Sequence, residues 1–292
     1  MAIERQTVWG NLVIIDTFLG GIGAGIFPVS VILYFLTEMR ETAIIGMLLG
    51  PILVIAGLIC LLLEVGSRSP LKIYRVLLFP GLLTSWMSRG ALIQILYIIF
   101  GLGYVVPAFW LDRWLESVGG LVTAIIACIL ALIIAAYHGL LLSQARAIPL
   151  WSCSVLPLLS FFTALSTGLG LMLLISLAYI NANIEKVFSI LGIAGGAFIV
   201  GELISIWSLL SLRPNLTYSE SIKRLMKPMS VVIACLILPL ILLVYGLSPY
   251  GITHLVWISA FSGILLLVGG FIIRYSIIRA GHYYSLQIPL PR

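Results

Sequence analysis

Five side chains that can carry protons or hold a carbonyl oxygen stand in or against long apolar runs of this sequence: Asp16, Glu64, Glu202, Tyr137 and His138. An ionisable group inside a hydrocarbon layer is costly, so it faces a cavity or a partner and is read first as functional. Asp16 lies about one turn inside the first run. Glu64 closes the second, and Arg68, Arg75 and Arg146 in nearby loops are available to both as counter-ions. This grouping suits a proton relay, or an ion pair that fixes loop geometry. Glu202 falls near the middle of the sixth run with no basic neighbour in sequence, which suits either a proton pathway or a hydrogen-bonded packing device. A pathway from Glu202 requires a connection through Arg274 in the last run. Tyr137 and His138 close the fourth run on the same side as Asp16 and Glu64. A phenol or imidazole beside a carboxylate is what a quinone site needs, because two carbonyl oxygens require hydrogen-bond donors and a route for protons. An interfacial aromatic belt accounts for the same residue types.

Metal chemistry has little to stand on. Cys60, Cys128, Cys153 and Cys235 are four lone thiols with no C-x-x-C spacing, so they form neither a zinc nor an iron–sulfur cradle. The histidines are His138, His254 and His282, and His254 opens the eighth run on the opposite face. That leaves a single pair for a haem, and none is expected.

The elements that must position these groups follow from composition. Of 292 residues, 62% are apolar and 9% charged, where a soluble domain carries about a quarter charged residues. A water-soluble fold is excluded. At about 20 apolar residues per span, the chain is expected to be one all-α polytopic membrane domain over 1–292, with helices near 12–36, 44–64, 85–107, 119–143, 154–180, 187–210, 229–248 and 253–279. Residues 213–228 are expected to form a polar loop with a short interfacial helix. The first run, about Leu12 to Phe35, is too long for a signal-peptide core and is expected to remain as a span. Glycines 20, 21, 23 and 25 on the first helix and Gly168 and Gly170 on the fifth predict close helix contacts.

Eight spans put both termini on one side. Arg40, Arg113 and Lys186 then fall on the far side and the other 13 of the 16 basic residues on the side of the N terminus. The positive-inside rule places that side in the cytoplasm. The net charge of +6 reports this loop bias and calls for no nucleic-acid partner.

Several stretches, in order along the chain, resemble the NrfD/PsrC family, the polytopic quinone-interacting subunits of molybdopterin and other iron–sulfur oxidoreductases. They are F-L-G-G-I-G-A-G at Phe18–Gly25, L-E-V-G-S-R-S-P-L-K-I-Y-R at Leu63–Arg75 and S-W-M-S-R-G-A at Ser85–Ala91. Further along come Y-H-G-L-L-L-S-Q-A-R-A-I-P-L-W at Tyr137–Trp151, A-L-S-T-G at Ala164–Gly168 and I-R-Y-S-I-I-R-A-G at Ile273–Gly281. Departures are an extra residue between Gly66 and Arg68, Ser69 ahead of Pro70, and His138 where the family carries Ser or Thr.

The resemblance implies two four-helix bundles, no metal, haem or iron–sulfur cluster in this chain, and a menaquinone or ubiquinone site near the face that docks a ferredoxin-like iron–sulfur subunit. A catalytic subunit, of molybdopterin type, completes such a complex in the prokaryotic cytoplasmic membrane. By the same resemblance Tyr137 holds the quinone and Asn11 and Asp16 complete its pocket; His138, which departs from the family, is expected from its own chemistry to assist, as is Asn11. Glu64 then handles protons. The chain is not catalytic alone; it is expected to exchange electrons and protons with the quinone pool. The rival readings are a secondary transporter or a proton-translocating membrane subunit built on the same carboxylates, and a passive anchor.

Overall fold

A segment that crosses hydrocarbon has to satisfy its backbone groups internally, and the helix does so within one segment. The computed structural model describes residues 2–6, 9–37, 39–66, 85–111, 113–179, 184–212 and 216–285. Among them are eight helices long and apolar enough to cross a membrane: α1 (Asn11–Leu36), α2 (Arg40–Gly66), α3 (Trp86–Val105), α4 (Val118–Ser143), α5 (Val155–Ser176), α6 (Ile184–Ser211), α7 (Leu216–Gly246) and α8 (Leu255–Arg279). The expected boundaries hold to within about one turn except at α7. Its helix begins at Leu216, so most of the expected 213–228 loop is helical and Pro228 sits inside the helix. The reason is amphipathicity: Ser221 and Leu225 are buried while Lys223, Arg224 and Lys227 are exposed, so a polar-looking segment still has a face to pack.

Contacts run around a ring of α1, α2, α3 and α4 and around a second ring of α5, α6, α7 and α8, joined chiefly where α1 packs on α5 and α4 on α5. α1 and α5 are the most buried spans. Their crossing explains the glycines. A Cβ on Gly25 would strike the Ala164 carbonyl, and one on Gly168 would strike the backbone of Gly25. In lipid, where apolar side chains gain little by leaving their surroundings, such backbone contact is what holds helices together. Large apolar side chains point outward from the other helices, among them Ile99, Ile125, Ile204, Ile241 and Ile264, as a lipid-facing surface requires.

Two short strands escaped the sequence reading. β1 (Ala2–Arg5) pairs antiparallel with β2 (His282–Ser285), Ala2 opposite Ser285 and Arg5 opposite His282. The first and last described segments therefore meet on one side. Buried Gln6 ties this clasp to the helices, donating from Nε2 to the Ile278 carbonyl (3.1 Å) while its Oε1 accepts from the Trp9 N–H (2.9 Å). At the opposite end Arg40 pairs with Glu116 at 2.8 Å, which joins the α1–α2 turn to the α3–α4 connection.

Candidate functional site

Small residues of α1 make room for large polar ones from its neighbours. A Cβ on Gly20 would lie 3.0 Å from His138 Cε1, and one on Gly21 would strike the Arg274 guanidinium. The imidazole of α4 and the guanidinium of α8 thus press against consecutive glycines of α1. Asp16, one turn earlier, has its Oδ1 3.1 Å from where a Cβ on Gly57 of α2 would stand. Asp16, His138 and Arg274 are all buried. Asp16 Oδ1, both ring nitrogens of His138 and both Nη atoms of Arg274 lack a hydrogen-bond partner. Leaving such groups unmet costs on the order of 1–3 kcal/mol each, so five orphaned atoms in one layer call for water or a ligand.

A cavity of about 30 Å³ lies beside them, lined by Thr17, His138, Ser160, Thr163, Arg274 and apolar side chains of α4, α5 and α8. A water needs roughly 10–15 Å³ on this measure, so two waters fit and a quinone ring does not. From the cavity the polar chain continues into the second ring of helices. Thr163 Oγ1 donates to Glu202 Oε1 (2.9 Å) and Ser166 Oγ to Oε2 (2.6 Å). Both hydroxyls also face carbonyls of their own helix, Leu159 at 2.8 Å and Thr163 at 3.2 Å. Glu202 and Arg274 lie within electrostatic reach of each other, as do Arg274 and His138. Sequence reasoning missed Thr163 and Ser166, although hydroxyls three residues apart in an apolar helix mark one polar face.

The remaining expected residues are spread along the side of the β1–β2 clasp. Tyr137 packs against Gly90, where a Cβ would strike the hydroxyl end of its ring, and its hydroxyl donates to the Trp86 carbonyl at 2.6 Å. Its one proton is therefore committed in this conformation. Asp16 is within electrostatic reach of the phenol. Glu64 is half-buried, with its carboxylate 2.7 Å from where a Cβ on Gly10 would stand, just ahead of α1. A carboxylate there meets the partial positive charge of a helix start. Asn11 is exposed, its Oδ1 accepting from Arg279. Arg146 is exposed in the turn after α4 and makes no ion pair among the described residues, so it does not serve as the expected counter-ion of Asp16. Arg68 and Arg75 lie outside the described residues. No group of three or more His, Cys, Asp or Glu side chains converges on a metal position among the described residues.

Residues 2–284 match the family described as polysulphide reductase, NrfD. The chain belongs to the NrfD family. Two curated relatives agree with that placement. This NrfD-family protein is 29% identical over 197 residues to Protein NrfD of Escherichia coli strain K12, covering 58% of its own length and 60% of the relative. It is 26% identical over 197 residues to the C subunit of polysulfide reductase from Wolinella succinogenes, covering 61% of each. The matches thus span less than two thirds of either relative's length. Family and helices together identify a multi-pass membrane protein of the NrfD family.

Proposed function

We propose that this chain is the membrane subunit of a prokaryotic oxidoreductase complex and exchanges electrons and protons with a quinone, menaquinone or ubiquinone, of the cytoplasmic membrane. The carrying observation is the layer of buried, unpartnered polar atoms on Asp16, His138 and Arg274 beside Tyr137. The relatives support the rest, since one of them is a subunit of polysulfide reductase. A ferredoxin-like iron–sulfur subunit and a catalytic subunit would complete the complex, docked on the side of the β1–β2 clasp.

A quinone takes up or releases two electrons together with two protons. The 30 Å³ cavity is too small for its ring, so we assign the headgroup to the outer side of Tyr137, where Trp86 and Asn11 are exposed and Glu64 is half-buried. His138, buried and facing the cavity, reaches a carbonyl oxygen through a bridging water. Tyr137 offers its proton only by letting go of the Trp86 carbonyl, or else fixes the start of α3 against the site. Asp16 and Glu64 accept or return protons toward the basic side.

The cavity, with room for two waters between Arg274 and Thr163, and the Thr163–Glu202 hydrogen bond beyond it also favour an added proton step into the second ring of helices. Two hydroxyl protons face four acceptors around Glu202, and a third proton held on the carboxyl would let every acceptor but one be served. Such a site suits a proton way-station.

The deciding measurement is titration of the purified protein, with whatever subunits accompany it, by a fluorescent hydroxyquinoline N-oxide analogue of quinone. Wild type should bind it, and His138→Leu should weaken binding about tenfold, one lost water-mediated hydrogen bond of about 1.4 kcal/mol. Absence of binding in wild type, with no quinone in the extracted lipids, would overturn the reading in favour of a passive anchor or transporter.

A further inference from the structure

A groove of about 680 Å³ opens between the first turns of α7 and the last turns of α8, outside the site above. Lys223, Arg224, Lys227 and Arg279 line it together with Ile272 and Tyr275, and no acidic side chain faces it among its described lining. Lys223 is bound to Glu220 at 2.7 Å. Arg224 and Lys227 are exposed and take part in no ion pair among the described residues. Arg279 reaches Asn11 through one Nη and stacks on Tyr275, its Cζ 5.8 Å from the ring centroid, but its Nε is buried without an acceptor. A cationic cleft with an orphaned donor calls for an anion with several oxygens.

Position narrows the occupant. Just past Pro228, α7 becomes continuously apolar, so the groove sits where the chain enters hydrocarbon. Along α8 the exposed side chains Ile264, Val268, Phe271 and Tyr275 recur every three to four residues and form one apolar lane leading to the groove. A basic mouth above an outward-facing apolar lane matches a phosphate joined to acyl chains. An acidic protein surface would need no lane, and a zwitterionic lipid would bring a second cation into a cleft that is already basic.

We propose that this groove binds an anionic phospholipid, its phosphate among Arg224, Lys227 and Arg279 and an acyl chain along Tyr275, Phe271 and Val268. Basic pockets of this kind at the cytoplasmic edge of helix bundles hold anionic headgroups. Quinone is not involved, so this assignment stands or falls apart from the redox reading.

The test uses the full chain in nanodiscs of phosphatidylcholine doped with phosphatidylglycerol, with retained lipid counted by native mass spectrometry after release. Wild type should retain phosphatidylglycerol over phosphatidylcholine. The double variant Arg224→Gln/Lys227→Gln should lose that preference about tenfold or more, while Arg113→Gln, an exposed arginine at the opposite end, should keep it. Circular dichroism of each variant checks that the helices remain. Equal retention in wild type and double variant would overturn the proposal. Displacement by excess inorganic phosphate alone would make this an anion site without lipid selectivity. An acidic protein released by the double variant, with no lipid preference in wild type, would make it a protein dock.

Discussion

Tyr137 and Glu202 carry opposite lessons at the scale of single residues. The phenol was legible from its place at the end of an apolar run, yet its hydroxyl is held by the Trp86 carbonyl, a contact between residues about 50 positions apart that no spacing rule reveals. Tyr137→Phe should therefore cost about 1 kcal/mol of stability and weaken quinone-analogue binding no more than about tenfold, read by thermal unfolding in detergent and by the titration above. A larger binding loss would mean that the phenol touches the headgroup directly. Around Glu202 the asymmetry runs the other way. Thr163→Val with Ser166→Ala leaves a buried carboxyl without its two donors and should destabilise by roughly 2–3 kcal/mol. Glu202→Gln keeps an acceptor for one of the two hydroxyls and turns an N–H toward the other, whose proton can go to its own helix carbonyl instead, so it should cost less than the double change while abolishing any proton uptake that passes through this carboxyl. Proton uptake by vesicles that survives Glu202→Gln would remove it from the pathway.

Helices were the easiest elements to read, because a run of about 20 apolar residues has few other fates. The exception, α7, shows why: Lys223, Arg224 and Lys227 interrupt the hydropathy, but they occupy one face of a helix whose other face is buried through Ser221, Leu225 and Met229. Composition averages over faces and loses that distinction. The glycines were read as packing residues, and the α1–α5 crossing bears this out at Gly25 and Gly168. A leucine at Gly168 would drive side-chain atoms into the α1 backbone, so Gly168→Leu should destabilise by about 3 kcal/mol or more and show as loss of monodisperse protein on size exclusion. Gly103, whose Cβ would meet nothing within 4 Å, is the control: Gly103→Ala should be neutral or slightly stabilising.

At the scale of the whole molecule, the β1–β2 clasp brings the two described ends together, and the charge bias expects that side in the cytoplasm. Single cysteines at Glu4 and at Tyr283, in a background freed of native thiols, should label alike with a membrane-impermeant maleimide and opposite to one at Glu116. Gln6 closes the clasp onto α8, so Gln6→Leu strands the Ile278 carbonyl and the Trp9 N–H; about 2 kcal/mol should be lost, seen as a lower unfolding midpoint. Sequence by itself determined the solvent, the number of membrane spans and the family, because hydrocarbon imposes a length and a polarity on every span and the motifs recur in order. It also placed Asp16, Glu64 and Tyr137 toward one side, which needs only the parity of the spans. Which groups actually meet was decided by tertiary structure alone: His138 and Arg274 come from helices 4 and 8, Glu202 finds its donors on helix 5, and Arg146 turns outward. Side-chain meetings between helices depend on rotation about each axis and on where a missing Cβ lets a neighbour in, and neither is written in the order of residues along the chain.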